Sequence, residues 1–396
     1  MRGLLRSREG GEAKVGPVEL FFDLVFVFAV TQLSHSLLAH LTILGALQTA
    51  MLFLGVWWVW IFTTWVTNWL DPERTPVRLM LFALMVAGLF MSMAIPEAFG
   101  ERGLVFAAAY AAIQVGRSVF MLAALKGRSP GNYRNFRRIT VWLVGSALLW
   151  IAGGLSDGEL RVGLWAAALL IEYVAPAAGF FVPGLGRSST RDWDVEGHHL
   201  AERCGLFIII ALGESILITG ATFARGSWSA PTIGALVAAL SGSIAMWWLY
   251  FNIGAERAAQ KISSVEDPGR FARLIYTYVH LLIVGGIIVS AAGDELVLAH
   301  PSGHASPATS MVVLGSSGAF LLGNLLFKRA TWHLWPLSHL AGLAMLGALG
   351  FAAQSLAPVA LALSSSAVLI IVAVWEARSL QPASEGRESA PREQAH

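Results

Sequence analysis

Charged residues are scarce in this chain: Lys, Arg, Asp and Glu make up 13% of its 396 residues, where a soluble domain carries about a quarter. The shortage runs along the whole length, which excludes a soluble body tethered by one anchor. The net charge is only +2, so no nucleic-acid partner is expected. A single cysteine, Cys204, rules out an intrachain disulfide and a cysteine-based metal cluster. No predicted helix carries an E-x-x-H or H-x-x-x-H pair, and the consecutive His198 and His199 cannot share one helix face. No metal site, haem or other cofactor is therefore expected. No Walker loop, dinucleotide fingerprint or G-x-S-x-G elbow stands in a strand context. The first 15 residues are polar, and the apolar run after them is too long for a cleavable leader.

Apolar residues fill the space that charge vacates, at 56% of the chain with a mean hydropathy of +0.64. Crossing the hydrocarbon core takes about 20 such residues in a helix. Twelve segments qualify, near 18–38, 43–68, 77–97, 103–125, 137–155, 160–182, 201–223, 230–252, 270–292, 306–327, 335–355 and 357–377. Of the 27 basic residues, 23 fall on one side of this arrangement. Only Arg102, Arg161 and Arg225 fall on the other, and Arg117 lies within a span. The split places both termini in the cytoplasm of a bacterial inner-membrane protein. The polar tail 379–396 reads as disordered.

The segments also match in order. Segment two holds "GVWWVWIFTTWVTN" and segment eight "IAMWWLYFNIG"; each is followed by an acidic, Pro-containing loop. Segments six and twelve hold "LLIEYVAP" and "IIVAVWEA". The expected fold is an all-α polytopic membrane protein with two parallel six-helix repeats, 17–183 and 201–378. An N-terminal segment 1–16 precedes them and a linker 184–200 joins them. Parallel repeats of this kind occur among transporters, with sites at the repeat interface.

Two stretches carry acids into apolar runs. One holds Glu19 and Asp23 in E-x-F-F-D-L; the other holds His199, Glu202 and Arg203 in H-x-x-E-R, then Glu214 in G-E-S. These motifs resemble the bacterial low-temperature-requirement protein A family, over about residues 15–378. The resemblance implies an integral membrane protein associated with growth in the cold, and it implies no molecular activity.

The residues suggest two clusters. Glu19 and Asp23, four apart, share a helix face; with His199, Glu202 and Arg203 they form a cytoplasmic-face group. Glu19 alone suits the positive end of a helix dipole, and Glu202 and Arg203 equally suit an interfacial charge cluster. Deeper in, Arg117, Glu172 and Glu214 are expected to meet, with Gln114 and Ser215 supplying hydrogen bonds, because an ionisable group at the bilayer centre costs about 2.5–3.5 kcal/mol without a partner. Gly116 and Gly213 would allow close helix approach there. Trp58, Phe62, Trp65 and Trp69 fall on one stripe that suits packing better than ligand stacking. The leading expectation is a secondary transporter or permeation protein taking a small molecule or ion. An enzyme acting on lipid at the inner leaflet is the alternative, and a non-catalytic membrane-organising protein the third. Membrane lipid is the partner common to all three.

Overall fold

The structure, a computed structural model, describes residues 3–6, 14–189, 193, 195–252, 261–262, 265–332 and 335–379. The expected disordered tail beyond Ser379 lies outside the described residues, as do parts of the N-terminal segment and linker. The described chain is helical throughout, with no strand beyond two isolated bridges, Leu5 with Leu70 and Val182 with Gly186.

The first half comprises α1 (Pro17–Ala39), α2 (Ile43–Trp69), α3 (Thr75–Ala94), α4 (Gly103–Leu125), α5 (Pro130–Gly154) and α6 (Gly158–Val174). The second comprises α7 (Gly197–Arg225), α8 (Ala230–Phe251), α9 (Pro268–Ala299), α10 (Pro307–Trp332), α11 (Leu337–Ala352) and α12 (Pro358–Ser379). Local chemistry sets the starts. Pro17 and Pro130 occupy first-turn positions, where the missing N–H costs nothing. Thr42, Ser229 and Asp267 accept from backbone N–H groups three residues on. Glu196 does the same for His199 N–H, which starts α7 a turn earlier than the apolar run suggests.

Among the described residues, eleven helices are long and apolar enough to cross a membrane. The remaining one, α6, has 17 residues, about 25 Å. It stops at Val174 rather than the expected 182. Pro176 follows at once, and Gly179 (φ 62°) closes the end. Phe180 N–H bonds the Ala175 carbonyl and Gly179 N–H that of Pro176, a Schellman closure.

The two halves share a set of contacts, to which the second adds α8 on α9, α9 on α12 and α10 on α12. In the first, α1 packs on α2 and α3, α3 on α4, α4 on α5, α5 on α6, and α2 on α4 and α6. In the second, α7 packs on α8 and α9, α9 on α10, α10 on α11, α11 on α12, and α8 on α10 and α12. They join where α1 and α2 meet α7 and α9. One large core spans both, dense in tryptophan: Trp57, Trp58, Trp60, Trp150 and Trp165 are all buried. The outer surface is apolar too, with Leu148, Leu217, Met311 and Phe351 exposed, as a lipid-facing wall requires.

Close helix approach does not occur at Gly116 or Gly213, where an added Cβ would meet nothing within 4 Å. It occurs between α9 and α10. A Cβ on Gly286 would lie 2.7 Å from Phe320 N, and one on Gly323 2.9 Å from Ile283 N.

Candidate functional site

α7 organises the polar interior. At its first turns it faces α1 across a hydrogen bond and an ion pair: His199 Nε2 lies 2.9 Å from Glu19 Oε1, and Arg203 Nη2 lies 2.8 Å from Asp23 Oδ1. Both pairs join residues 180 apart. Two partners four residues apart on each helix therefore form successive rungs, and the helices run parallel. All four side chains are fully buried. Asp23 also accepts from Trp60 Nε1 at 2.8 Å, and Arg203 lies over the Trp60 ring.

Three partners surround the imidazole. Asn68 exchanges two hydrogen bonds with the Glu196 backbone, so its amide Nδ2 is the atom that faces His199 Nδ1 at 3.2 Å, where Nδ1 accepts. Nε2 lies 2.9 Å from Glu19 Oε1 and 3.1 Å from Arg6 Nη2. Arg6 completes the group, donating to Glu19 Oε2 at 3.0 Å and to the Thr67 and Leu70 carbonyls. Glu202 stands apart. It is exposed, and among the described residues its Oε2 accepts from Val15 N–H at 3.0 Å.

The deeper cluster divides. Arg117, Gln114 and Glu172 do come together, between α2, α4, α5 and α6. Glu172 accepts from Tyr110 Oη, from Gln114 Nε2 at 3.3 Å, from Ser146 Oγ at 2.5 Å and from Trp150 Nε1 at 3.2 Å. Arg117 donates to Gln114 Oε1, to Thr63 Oγ1 at 2.8 Å and to the Val59 carbonyl at 2.9 Å. Gln114 thus stands between cation and carboxylate, and no ion pair joins them among the described residues.

Glu214 and Ser215 do not join that group, because α7 packs on α1 and α9 rather than on α4 or α6. Glu214, half-buried, accepts from Thr31 Oγ1 of α1. Ser215 donates to Asp294 Oδ2 of α9 at 3.3 Å. Asp294 was not legible as a site residue, since an acid five residues from a helix end reads as a loop charge. Gly293 and Asp294 border a cavity of about 20 Å³ rich in serine.

A second buried pair joins the glutamate of "IIVAVWEA" to a lysine that no motif marked. Lys328 of α10 lies 2.6 Å from the Glu376 carboxylate of α12 and donates to the Leu249 carbonyl of α8 at 3.0 Å. His339 of α11 stands 3.4 Å from the same amine. Lys328 had counted as a loop residue, yet it is 1% exposed.

Between the α1–α7 rungs and Glu214, about 16 Å of α7 is apolar. Phe207 fills it, with ring centroids 5.9 Å from Trp57 and 4.3 Å from Trp60. Opposite, α9 opens into a π-helical turn, Arg273–Val279, a device frequent at functional positions. Its Thr277 accepts from Trp57 Nε1 through the carbonyl (2.7 Å) and from Trp65 Nε1 through Oγ1 (3.0 Å). The expected stripe on α2 is buried packing at Trp58, stacked 4.1 Å from Tyr173. Phe62, Trp65 and Trp69, with Arg117 and Arg273, line a cavity of about 30 Å³.

The fold and its interior define a polytopic α-helical membrane protein. The chain belongs to the bacterial low temperature requirement A protein (LtrA) family, whose profile matches residues 14–374. It is 42% identical over 372 residues to an uncharacterised protein of Rhizobium meliloti (strain 1021), covering 94% of this chain and 91% of that one. No solved structure matches it.

Proposed function

We propose that the chain is a secondary transporter or permeation protein of the bacterial inner membrane, with both termini cytoplasmic and two parallel repeats of six helices. The carrying observation is a set of three membrane-depth carboxylates, Glu172, Glu214 and Asp294, whose hydrogen-bond partners among the described residues are all neutral. A carboxyl so placed marks a pathway, and without a cation beside it, it is able to exchange a proton.

The repeat is supported by matched roles. In each half a cation on the fourth helix donates to a carbonyl of the second, Arg117 to Val59 and Lys328 to Leu249. In each half the sixth helix supplies a glutamate, Glu172 or Glu376. The aromatic layer of Trp57, Trp60 and Phe207 separates polar zones at the two levels of α7, as a barrier in a carrier would.

Infrared difference spectra of the purified protein between acid and alkaline pH test this reading. Protonated-carboxyl bands should move with pH in the wild type and diminish in Glu172→Gln, Glu214→Gln and Asp294→Asn. Spectra in which no carboxyl band moves would remove the proposal's basis.

An enzyme at the inner leaflet fits less well. Glu19, Asp23, His199 and Arg203 are buried and engaged with one another, which leaves Glu202 alone to meet a lipid. A purely organising role would require every deep charge to be paired, and Glu172, Glu214 and Asp294 have no charged hydrogen-bond partner among the described residues. The requirement for growth at low temperature that the family's name carries belongs to the same proposal.

A further inference from the structure

We propose that Asp294, with the serines of α10 and α12, forms a binding site for one dehydrated sodium ion. Asp294, Ser316, Ser317, Ser365 and Ser366 border one cavity between α8, α9, α10 and α12. Ser316 lies nine residues into α10 and Ser365 seven into α12, so the cavity sits about 10–15 Å below the helix starts.

The hydroxyl protons decide the sign of the occupant. Ser316 Oγ donates to the Val313 carbonyl at 2.9 Å and Ser366 Oγ to the Ala238 carbonyl at 2.8 Å. Ser365 Oγ donates to Ser317 Oγ at 2.8 Å. With these protons committed elsewhere, the three oxygens have only lone pairs left to offer. The Asp294 carboxylate accepts one hydrogen bond, from Ser215, and has capacity remaining. Ser290 and Ser317 also border the cavity and can turn their protons away from a cation, so the lining as a whole offers a carboxylate and serine lone pairs and suits a positive ion.

Charge and size narrow the choice. Oxygen-only ligation selects hard cations. A single carboxylate balances one positive charge, whereas a calcium site gathers several. A cavity of about 20 Å³ holds one bare ion or water and excludes a hydrated shell.

The site shares with the carrier reading only the depth of Asp294, and its test needs no transport. Purified full-length protein in detergent should bind radioactive sodium saturably, near one per chain, with potassium and choline competing weakly. Its melting temperature should rise when sodium chloride replaces choline chloride at equal ionic strength. Asp294→Asn should abolish both effects. Ser365→Ala, which keeps the carboxylate, should raise the dissociation constant about tenfold. Gly242→Ala gives a second handle should Asp294→Asn fail to fold, because its Cβ would press within 3.0 Å of Ser366 Oγ; it too should weaken binding. Wild-type protein that melts alike in sodium and choline and binds no sodium saturably would assign the cavity to water and overturn the site. Unchanged binding in Asp294→Asn or Gly242→Ala would do the same. Carboxyl bands that titrate while sodium fails to bind would sink this inference and leave the carrier reading standing.

Discussion

The two halves bury the same kinds of charge and connect them differently. In the second, Lys328 touches Glu376 directly at 2.6 Å. In the first, Gln114 and Tyr110 are interposed, and Arg117 spends its donors on Gln114, Thr63 and the Val59 carbonyl. A direct pair in a dry interior is fixed, since neither member can change charge without stranding the other. A carboxylate that has hydroxyl partners as well as amide and indole donors can take up a proton by turning the Tyr110 or Ser146 hydroxyl to accept it, with no counter-charge left behind. The Lys328–Glu376 contact therefore has the character of a fastener, and the Glu172 group, with no cation in contact, lacks that constraint.

The largest effect should come from breaking the fastener. Glu376→Gln leaves Lys328 without its counter-charge and should cost about 3–5 kcal/mol, read as a collapse in melting temperature or membrane abundance. Glu172→Gln should cost nearer 1 kcal/mol, because its amide oxygen still accepts from Tyr110, Ser146 or Trp150. Equal losses would erase the distinction between the halves.

Double substitution sharpens the contrast. Lys328→Met with Glu376→Met should recover most of the single-mutant loss, a coupling of roughly 2 kcal/mol or more. Arg117→Met with Glu172→Met should show coupling below about 0.5 kcal/mol, since Gln114 insulates the pair. A double-mutant cycle of melting temperatures checks both. The smallest effect belongs to the exposed member of the H-x-x-E-R motif. Glu202→Ala should stay within about 0.5 kcal/mol of wild type, while His199→Ala, which removes the partner of Glu19 Oε1 and empties a buried site, should destabilise clearly in the same measurement.

The spans were legible because bilayer thickness imposes length and composition together. The end of α6 was not, since "EYVAPAAGF" remains apolar past Pro176 while its backbone has already turned at Gly179. The i, i+4 placement of Glu19 and Asp23 foretold a shared face; the matching i, i+4 face of His199 and Arg203 went unread, because the predicted span began only after His199. That these faces meet is a fact of packing. Lys328 and Arg161 misled because positive residues at span ends count as topological signals. Yet Arg161 is buried, donating to the Ala98 and Gly100 carbonyls at 3.0 and 2.6 Å. Asp294 sat in the same blind spot. Glu214 and Glu172 were both recognisable as deep acids, but sequence depth says nothing about which neighbour lies across the helix.

The rungs between α1 and α7 have a consequence for how the protein is made. Each joins residues 180 positions apart. At the usual pace of synthesis, about 5–20 residues per second, the partner of Asp23 emerges on the order of 10–40 s later. Glu19 has Arg6 beside it from the outset; Asp23 has no cation until Arg203 arrives. The first helix thus cannot reach its resting state before the seventh leaves the ribosome. A nascent chain halted after six helices would present an unmatched acid to the cell's quality-control proteases.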